Sequence, residues 1–461
     1  MTDMLVAEAP REITGRRLLT FNLVSIGGLL VTSLYSSYSF YYYTYVIGLD
    51  ALLSSIGSVI ALFTAAIACP VFGVLSDNRP TRKGKKRKPF FAYGLPLLVA
   101  SSILVWLPPE NCQPGQSMNW LVAIYFWTMS FVVFLTASMI SSAYYGMIPE
   151  QSTTEANRIV VSKIQGLFNL AANAVAIIMP IVLQAILPDP QHSAWYEPSG
   201  NILISIVPAI AIIFSIACGL FTIITYFTVD ESFLRDPAER KSVPASLKTL
   251  FSPLGNRNAR VYFGYSFTMQ AGAKVLITLP IPFLTYVLVF QGPAFMIYLG
   301  IALALNFIGL SIWNIIVKRR GVIWANQLSM IILVITLNAV LIVLLGIPRE
   351  IMLPIVLVDC LVAMFSTNAG YLTNVPIVSA IVDEVSIQKV KKETVSGLYF
   401  GLNGFFCSLG VVAGSLFMGL YFTGGQERNP ILITLAYSVI SVTFLIAAIL
   451  NKKLSLPALK R

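Results

Sequence analysis

The sequence predicts an all-α membrane protein whose twelve transmembrane helices form two bundles of six, and three observations carry that prediction. The first is composition: of 461 residues, 57% are hydrophobic and only 11% are charged, against about 25% charged in an ordinary soluble domain. The second is spacing. A bilayer core about 30 Å thick takes roughly 20 apolar residues per helical crossing, and twelve such stretches follow one another along the chain. The third is charge, a net +11 gathered into alternate connections.

The stretches cover 18–48, 51–75, 89–108, 119–148, 157–187, 200–229, 259–291, 293–317, 322–347, 351–382, 395–423 and 430–451. Several are longer than a perpendicular crossing needs, which implies tilt or helix beyond the membrane. The first is too long for a signal-peptide core and no small-residue cleavage pattern follows it, so it is expected to be retained. The longest polar connection, 230–258, holds Pro237, Pro244 and Pro253. It divides the chain into an N-terminal six-helix bundle (1–229), a cytoplasmic linker (230–258) and a C-terminal six-helix bundle (259–461). Such a layout matches transporters built from two repeated bundles around a midplane site. Repetition between the halves is faint: only the position and basic run of the loop after helix two recur after helix eight.

Charge placement orients the chain. One set of connections carries Arg11, Arg16 and Arg17, then Arg79, Arg82, Lys83, Lys85, Lys86, Arg87 and Lys88, then Arg158 and Lys163. The same set continues with Arg235 to Arg260, Lys318 to Arg320, Lys389 to Lys392, and Lys452 to Arg461, whereas the other side holds Arg349 and Arg428. By the positive-inside rule both termini are expected in the cytoplasm of a multi-pass cell-membrane protein. Topology thus accounts for the positive charge, and nucleic acid is not an expected partner.

The remaining chemistry is sparse. Cys69, Cys218, Cys360 and Cys407 lie in apolar stretches, Cys112 lies alone in a loop, and His192 has no ligand partner in sequence, so neither a disulfide framework nor a metal site is expected. No Walker loop and no base beside a nucleophile is present, so an enzyme is not expected and no cofactor is implied.

Several segments resemble one family. Tyr43-Thr44-Tyr45-Val46-Ile47-Gly48-Leu49, Pro70-Val71-Phe72-Gly73-Val74-Leu75-Ser76-Asp77 and the basic loop to Pro89-Phe90 resemble the glycoside-pentoside-hexuronide cation symporters of the major facilitator superfamily. Pro149-Glu150 with Arg158, Val382-Asp383-Glu384 and Gly397-Leu398-Tyr399-Phe400-Gly401-Leu402 extend the likeness into both halves. The resemblance implies the major facilitator fold and a secondary transporter working as a monomer. Such a transporter is expected to move a sugar, glycoside or uronate by alternating access, with protons as a further partner and lipid as its solvent. Gly73, Asp77 and Arg82 then form a gating loop: Gly73 permits close helix approach, Asp77 ends helix two, and the cations pair with it or stay solvated. A lysolipid or organic-anion carrier of the same fold and a non-transporting receptor module are the alternatives.

The chain also departs from that family. Where the resemblance implies a helix-two arginine and two cation-binding carboxylates, the chain has Leu62, Ala65 and Cys69, none of them a hard oxygen ligand. Gln165 stands where the family has a basic residue, and Ser408 where it has a lysine. Sodium coupling at the usual family site is therefore not expected.

Two ionisable residues, Lys274 and Asp359, lie deep in apolar stretches, where a charge is costly and usually marks function. At 1.5 Å per residue Lys274 lies roughly 20 Å from the cytoplasmic end of its helix and Asp359 roughly 12 Å from the outer end of its own, so their depths coincide. A coupling ion pair between them is expected, with a purely structural pair as the alternative. Polar stripes supply the remaining substrate-binding candidates: Gln165, Asn169 and Asn173 with Ser162 on helix five, Asn368 and Tyr371 with Thr367 and Asn374 on helix ten, Tyr399 and Asn403 with Ser396 on helix eleven, and Tyr35 and Tyr38 with Tyr42 on helix one. Amides match hydroxyls and rings cover an apolar sugar face. The same stripes would equally serve as interhelical glue, and Tyr41 to Tyr45 as an interfacial aromatic belt.

Overall fold

In hydrocarbon each backbone polar group needs a partner within its own segment, so long apolar runs become helices. The computed structural model describes residues 12–80, 86–152, 154–231, 252–290, 293–388 and 392–456. Among them are twelve long helices: α1 (Gly15–Tyr41), α2 (Ala51–Asn78), α3 (Lys88–Leu104), α4 (Trp120–Gln151), α5 (Glu155–Ile186), α6 (Pro198–Thr228), α7 (Arg257–Thr278), α8 (Pro293–Arg320), α9 (Val322–Ala339), α10 (Arg349–Gln388), α11 (Lys392–Tyr421) and α12 (Pro430–Lys452). Nine helices, counted among the described residues alone, are long and apolar enough to cross a membrane, and α3 is apolar but shorter. Most of the predicted linker, 232–251, lies outside the described residues.

Helix starts follow the local code. Asp50, Asn119, Asn256 and Asn429 each accept a hydrogen bond from a first-turn N–H of the helix they precede, satisfying donors that a helix cannot satisfy itself. The ends differ from the expected smooth spans. After α1 the chain widens into a π-helical turn at Tyr42–Val46, and the seventh span breaks after Thr278 at Pro280–Pro282 and ends in a second π-helical turn at Phe283–Val287. Proline lacks the N–H that would continue the ladder.

Helices α1 to α6 pack among themselves, as do α7 to α12, and the two sets meet mainly where α2 lies along α11, with smaller contacts of α1 on α7 and α5 on α8. Small residues bring backbones together. A Cβ on Gly27 would lie 2.7 Å from Cys218 Cα between α1 and α6, and one on Gly414 would lie 3.0 Å from Lys274 Cβ between α11 and α7. Buried amides tie the second set: Asn326 accepts from Tyr265 and Thr373 and donates to Asn451, joining α7, α9, α10 and α12.

The two ends of this helix array differ. One end carries the basic connections, and is called here the basic face. The other carries residues 47–50, 105–119, 187–197, 288–290, 346–348 and 422–429, and is the opposite face.

Candidate functional site

At the opposite face the two halves are fastened to each other. Asp50, 3% exposed, caps α2 and also accepts from Thr423 Oγ1 at 3.2 Å and from the Gly424 N–H at 3.2 Å, both on the α11–α12 connection. Tyr45 donates to the Glu427 carbonyl at 2.8 Å and stacks on Tyr286, ring centroids 5.6 Å apart. Arg428 reaches the Tyr45 carbonyl at 3.4 Å and lies 5.9 Å from the Tyr286 centroid, within cation–π range. Gln191 donates to the Thr285 carbonyl at 3.3 Å. A cavity of about 450 Å³ sits in this junction, lined among others by Tyr45, Asp50, Trp195, Tyr196, Glu427 and Arg428.

Beneath the junction the seam between α2 and α11 is tight. A Cβ on Gly419 would fall 2.6 Å from Ser55 Cβ. Toward the basic face the same two helices part: a Cβ on Gly73 or on Gly404 would meet nothing within 4 Å. The close approach expected at Gly73 is therefore absent in this conformation, with space beside a glycine of each helix at the basic end and contact at Gly419.

Polar contacts near the basic face run inside each half. Arg87, 6% exposed, donates from Nε and Nη2 to Glu150, closest at 2.8 Å, and from Nη1 to Ser76 Oγ at 3.0 Å. Glu231 accepts from the backbone N–H groups of Lys86, Arg87 and Lys88, and Gln151 donates to the Asp230 carbonyl. Burial holds the Glu150 carboxyl above its ordinary range, and Arg87 draws it back only in part. In the second half Asn258 joins Glu384 to Ser455. The alternative of solvated charges in the basic loop does not hold for Arg87, which pairs with Glu150.

Lys274 and Asp359 do not meet. The Lys274 ammonium donates to the Ser36 carbonyl of α1 at 2.8 Å, across the two halves. Asp359 lies near Tyr298 of α8, with Oδ2 buried and without a hydrogen-bond partner. Equal depth did not imply equal direction, because α7 packs chiefly on α11 and α12 whereas α10 packs chiefly on α8 and α9.

The other predicted residues divide. On α5, Gln165 and Asn169 are half-buried, and Gln165 Nε2 and Asn169 Oδ1 have no partner. Tyr38 is fully buried, its hydroxyl unpaired, beside Tyr41 and near Gln184 and Tyr286. Tyr35 instead turns into the first half, donating to Ser130 of α4 at 2.7 Å between Phe126 and Phe134. Asn403 accepts from Ser266 at 2.8 Å and joins α11 to α7. Asn368 is buried against α8, where a Cβ on Gly309 would lie 2.8 Å from its Nδ2. All three make interhelical contacts of the kind the alternative reading expects. Tyr399 is 5% exposed. The side chains of Asn173, Tyr371 and Asp77 and the whole of Arg82 lie outside the described residues. Tyr41 to Tyr45 are at most 4% exposed, so they belong to the core rather than to an interfacial aromatic belt.

No group of three or more His, Cys, Asp or Glu is placed to hold a metal among the described residues. On α2, Leu62, Ala65 and Cys69 offer no carboxylate oxygen. Sequence reasoning missed the Asp50 to Thr423 clamp and the Arg87 to Glu150 pair. Asp50 carried a helix-start signal, but nothing local pointed to a partner 373 residues away.

Residues 21–452 match the family described as MFS/sugar transport protein. An uncharacterized symporter of Synechocystis sp. (strain ATCC 27184 / PCC 6803 / Kazusa) is 22% identical over 197 residues, 43% of this chain and 36% of that relative's length. Among solved structures, a nucleoside transporter, NupG, superposes with TM-score 0.65 at 13% identity, covering 95% of this chain and 100% of that one. A D-xylose–proton symporter gives TM-score 0.60 at 13% identity over 95% and 97% of the two chains. A bacterial homolog of the human lysosomal transporter Spinster gives 0.63 at 12% identity over 94% and 95%.

Proposed function

We propose that this chain, which belongs to the MFS/sugar transport family, moves a small polar solute, by default a sugar, glycoside or uronate, through alternating access between its two halves. It is an all-helical, multi-pass membrane transporter of the major facilitator fold, not an enzyme. One observation carries the alternating-access reading: the α2–α11 seam is closed at Gly419 and open at Gly73 and Gly404. With the basic face placed in the cytoplasm by the positive-inside rule, this conformation is closed outward and open inward. Gln165 and Asn169, with unpaired amide atoms on α5, are the polar groups we assign to the solute.

Coupling is read from what the spans carry. Ala65 and Cys69 cannot bind sodium with oxygen, and Asp359 has a buried, unpartnered carboxylate oxygen suited to take up a proton. That a curated relative is named a symporter and a structural relative a proton symporter supports ion coupling. Uptake of radiolabelled sugars, glycosides and uronates into proteoliposomes tests this. A pH gradient is expected to drive accumulation, sodium at fixed pH and potential to leave it unchanged, and Asp359→Asn to abolish accumulation while sparing exchange. Steep stimulation by sodium would overturn the coupling assignment, and no uptake of any solute would overturn transport.

A further inference from the structure

Lys274 is 7% exposed and its ammonium has one hydrogen bond, to the Ser36 carbonyl. The ion pairs among the described residues join Arg87 to Glu150 and His192 to Asp189, so no described carboxylate reaches Lys274. An ammonium carries three donors and no acceptor. A single neutral carbonyl leaves two of them unmatched and the charge uncompensated, at a membrane depth where that is costly.

The surroundings fix where this charge points. Behind it α11 closes in, with Gly414 admitting the Lys274 stem at a separation that a Cβ would reduce to 3.0 Å. The head therefore projects from α7 toward α1. Ser36, whose carbonyl it reaches, is exposed although Leu34, Tyr35 and Tyr38 around it are buried, as expected of a residue at the space between the halves. Asp359, which lies near Tyr298, makes no ion pair with it.

We propose that the transported solute is an anion, bearing a carboxylate or a phosphate, and that its charged group replaces the Ser36 carbonyl on Lys274. This rests on the transport reading above and names the substrate class of that site. The carbonyl is the partner the ammonium takes in the empty carrier. Because Ser36 and Lys274 belong to different halves, separating them at the opposite face removes that partner and presents the ammonium to an incoming anion. A neutral sugar offers nothing that would compensate the charge.

The test uses the full chain in nanodiscs and matched probes: glucuronate and glucose 6-phosphate against glucose, and lactate against glycerol. Thermal shift is read for the unaltered protein, Lys274→Gln and Lys274→Arg, since ligand binding to the folded state raises its apparent stability. Gln keeps an N–H donor for Ser36, so the fold is retained. At least one anion is expected to bind while its neutral counterpart does not, with affinity about 10- to 100-fold weaker in Lys274→Gln and largely kept in Lys274→Arg. Selectivity for glucuronate and lactate over glucose 6-phosphate identifies a carboxylate, and the reverse a phosphate. Binding of the neutral probes, anion affinity unchanged in Lys274→Gln, or no response to any anion overturns the proposal. Uptake of a neutral sugar unaffected by Lys274→Gln would also overturn it while leaving transport intact, whereas anion binding without uptake would remove transport and leave the anion site.

Discussion

At the opposite-face end of the α2–α11 seam a methyl added to Gly419 would sit 2.6 Å from Ser55, whereas at the basic end one added to Gly73 or Gly404 would meet nothing within 4 Å. The polar contacts follow the same division. Near the opposite face Asp50, Tyr45 and Arg428 tie one half to the other. Near the basic face Arg87, Glu150 and Glu231 tie the first half to itself. The ties that keep a half rigid are thus separate from those that hold the halves together, and substitutions at the two ends should fail in different ways.

The largest effect is expected inside a half. Arg87→Met leaves the Glu150 carboxylate buried without its partner and should cost about 3 to 5 kcal/mol. Denaturant unfolding should record this loss, while the spacing of the two halves stays as it was; a change of spacing at unaltered stability would break the division. Overpacking the closed seam comes next. Gly419→Leu should penalise the outward-closed conformation by about 1 to 3 kcal/mol, a shift of roughly 5- to 150-fold toward opening at the opposite face. Labelling of a cysteine placed at Ser55 or Thr423 should not be used to read it, since those side chains are part of the closure; alkylation of the native Cys112, 2% exposed and lining the junction cavity, serves instead, and should accelerate.

Asp50→Asn is a milder probe of the same closure. Asparagine still caps α2, so helix stability is kept, but the charged acceptor for Thr423 and Gly424 is lost, at about 1 kcal/mol. Opening at the opposite face should rise by several-fold with an unchanged melting temperature. Gly73→Ala should affect stability least. Alanine meets no neighbour there and is the better helix former, so the melting temperature should hold or rise slightly. If the basic end of the seam must close during turnover, uptake should nevertheless slow; full uptake would show that α2 and α11 never approach at Gly73.

How far the sequence disclosed this division depends on whether a feature is local. Twelve helices were legible because hydrophobic length and alternating basic loops are local signals, and so was the Asp50 cap. The break at Pro280 and Pro282 was written in the chain, yet an unbroken apolar run hid it. The site was less legible. Lys274 and Asp359 were found by their cost in lipid, but their pairing was inferred from depth, and depth leaves the direction around each helix undetermined. Tyr35 and Asn403 shared the polar stripes of cavity residues and proved to bond Ser130 and Ser266. A stripe shows which face turns inward, not whether it meets a cavity or another helix. Arg87 was hidden among neighbouring cations, since nothing in a basic run marks the member that turns back toward Glu150.

Alternating access in this protein requires that the closed and open ends of the seam exchange during transport. Spin labels on the exposed positions Gln116 and Gln426 report the opposite face, and labels on the exposed positions Arg16 and Arg257 report the basic face. Pulsed dipolar spectroscopy on both pairs in liposomes, with the empty carrier and with Gly419→Leu, gives the relevant distances. The empty carrier should show a short opposite-face distance and a long basic-face one, and Gly419→Leu should lengthen the first while shortening the second. Two distances that lengthen together, or a basic-face distance that stays fixed while the opposite face opens, would contradict alternating access in this protein.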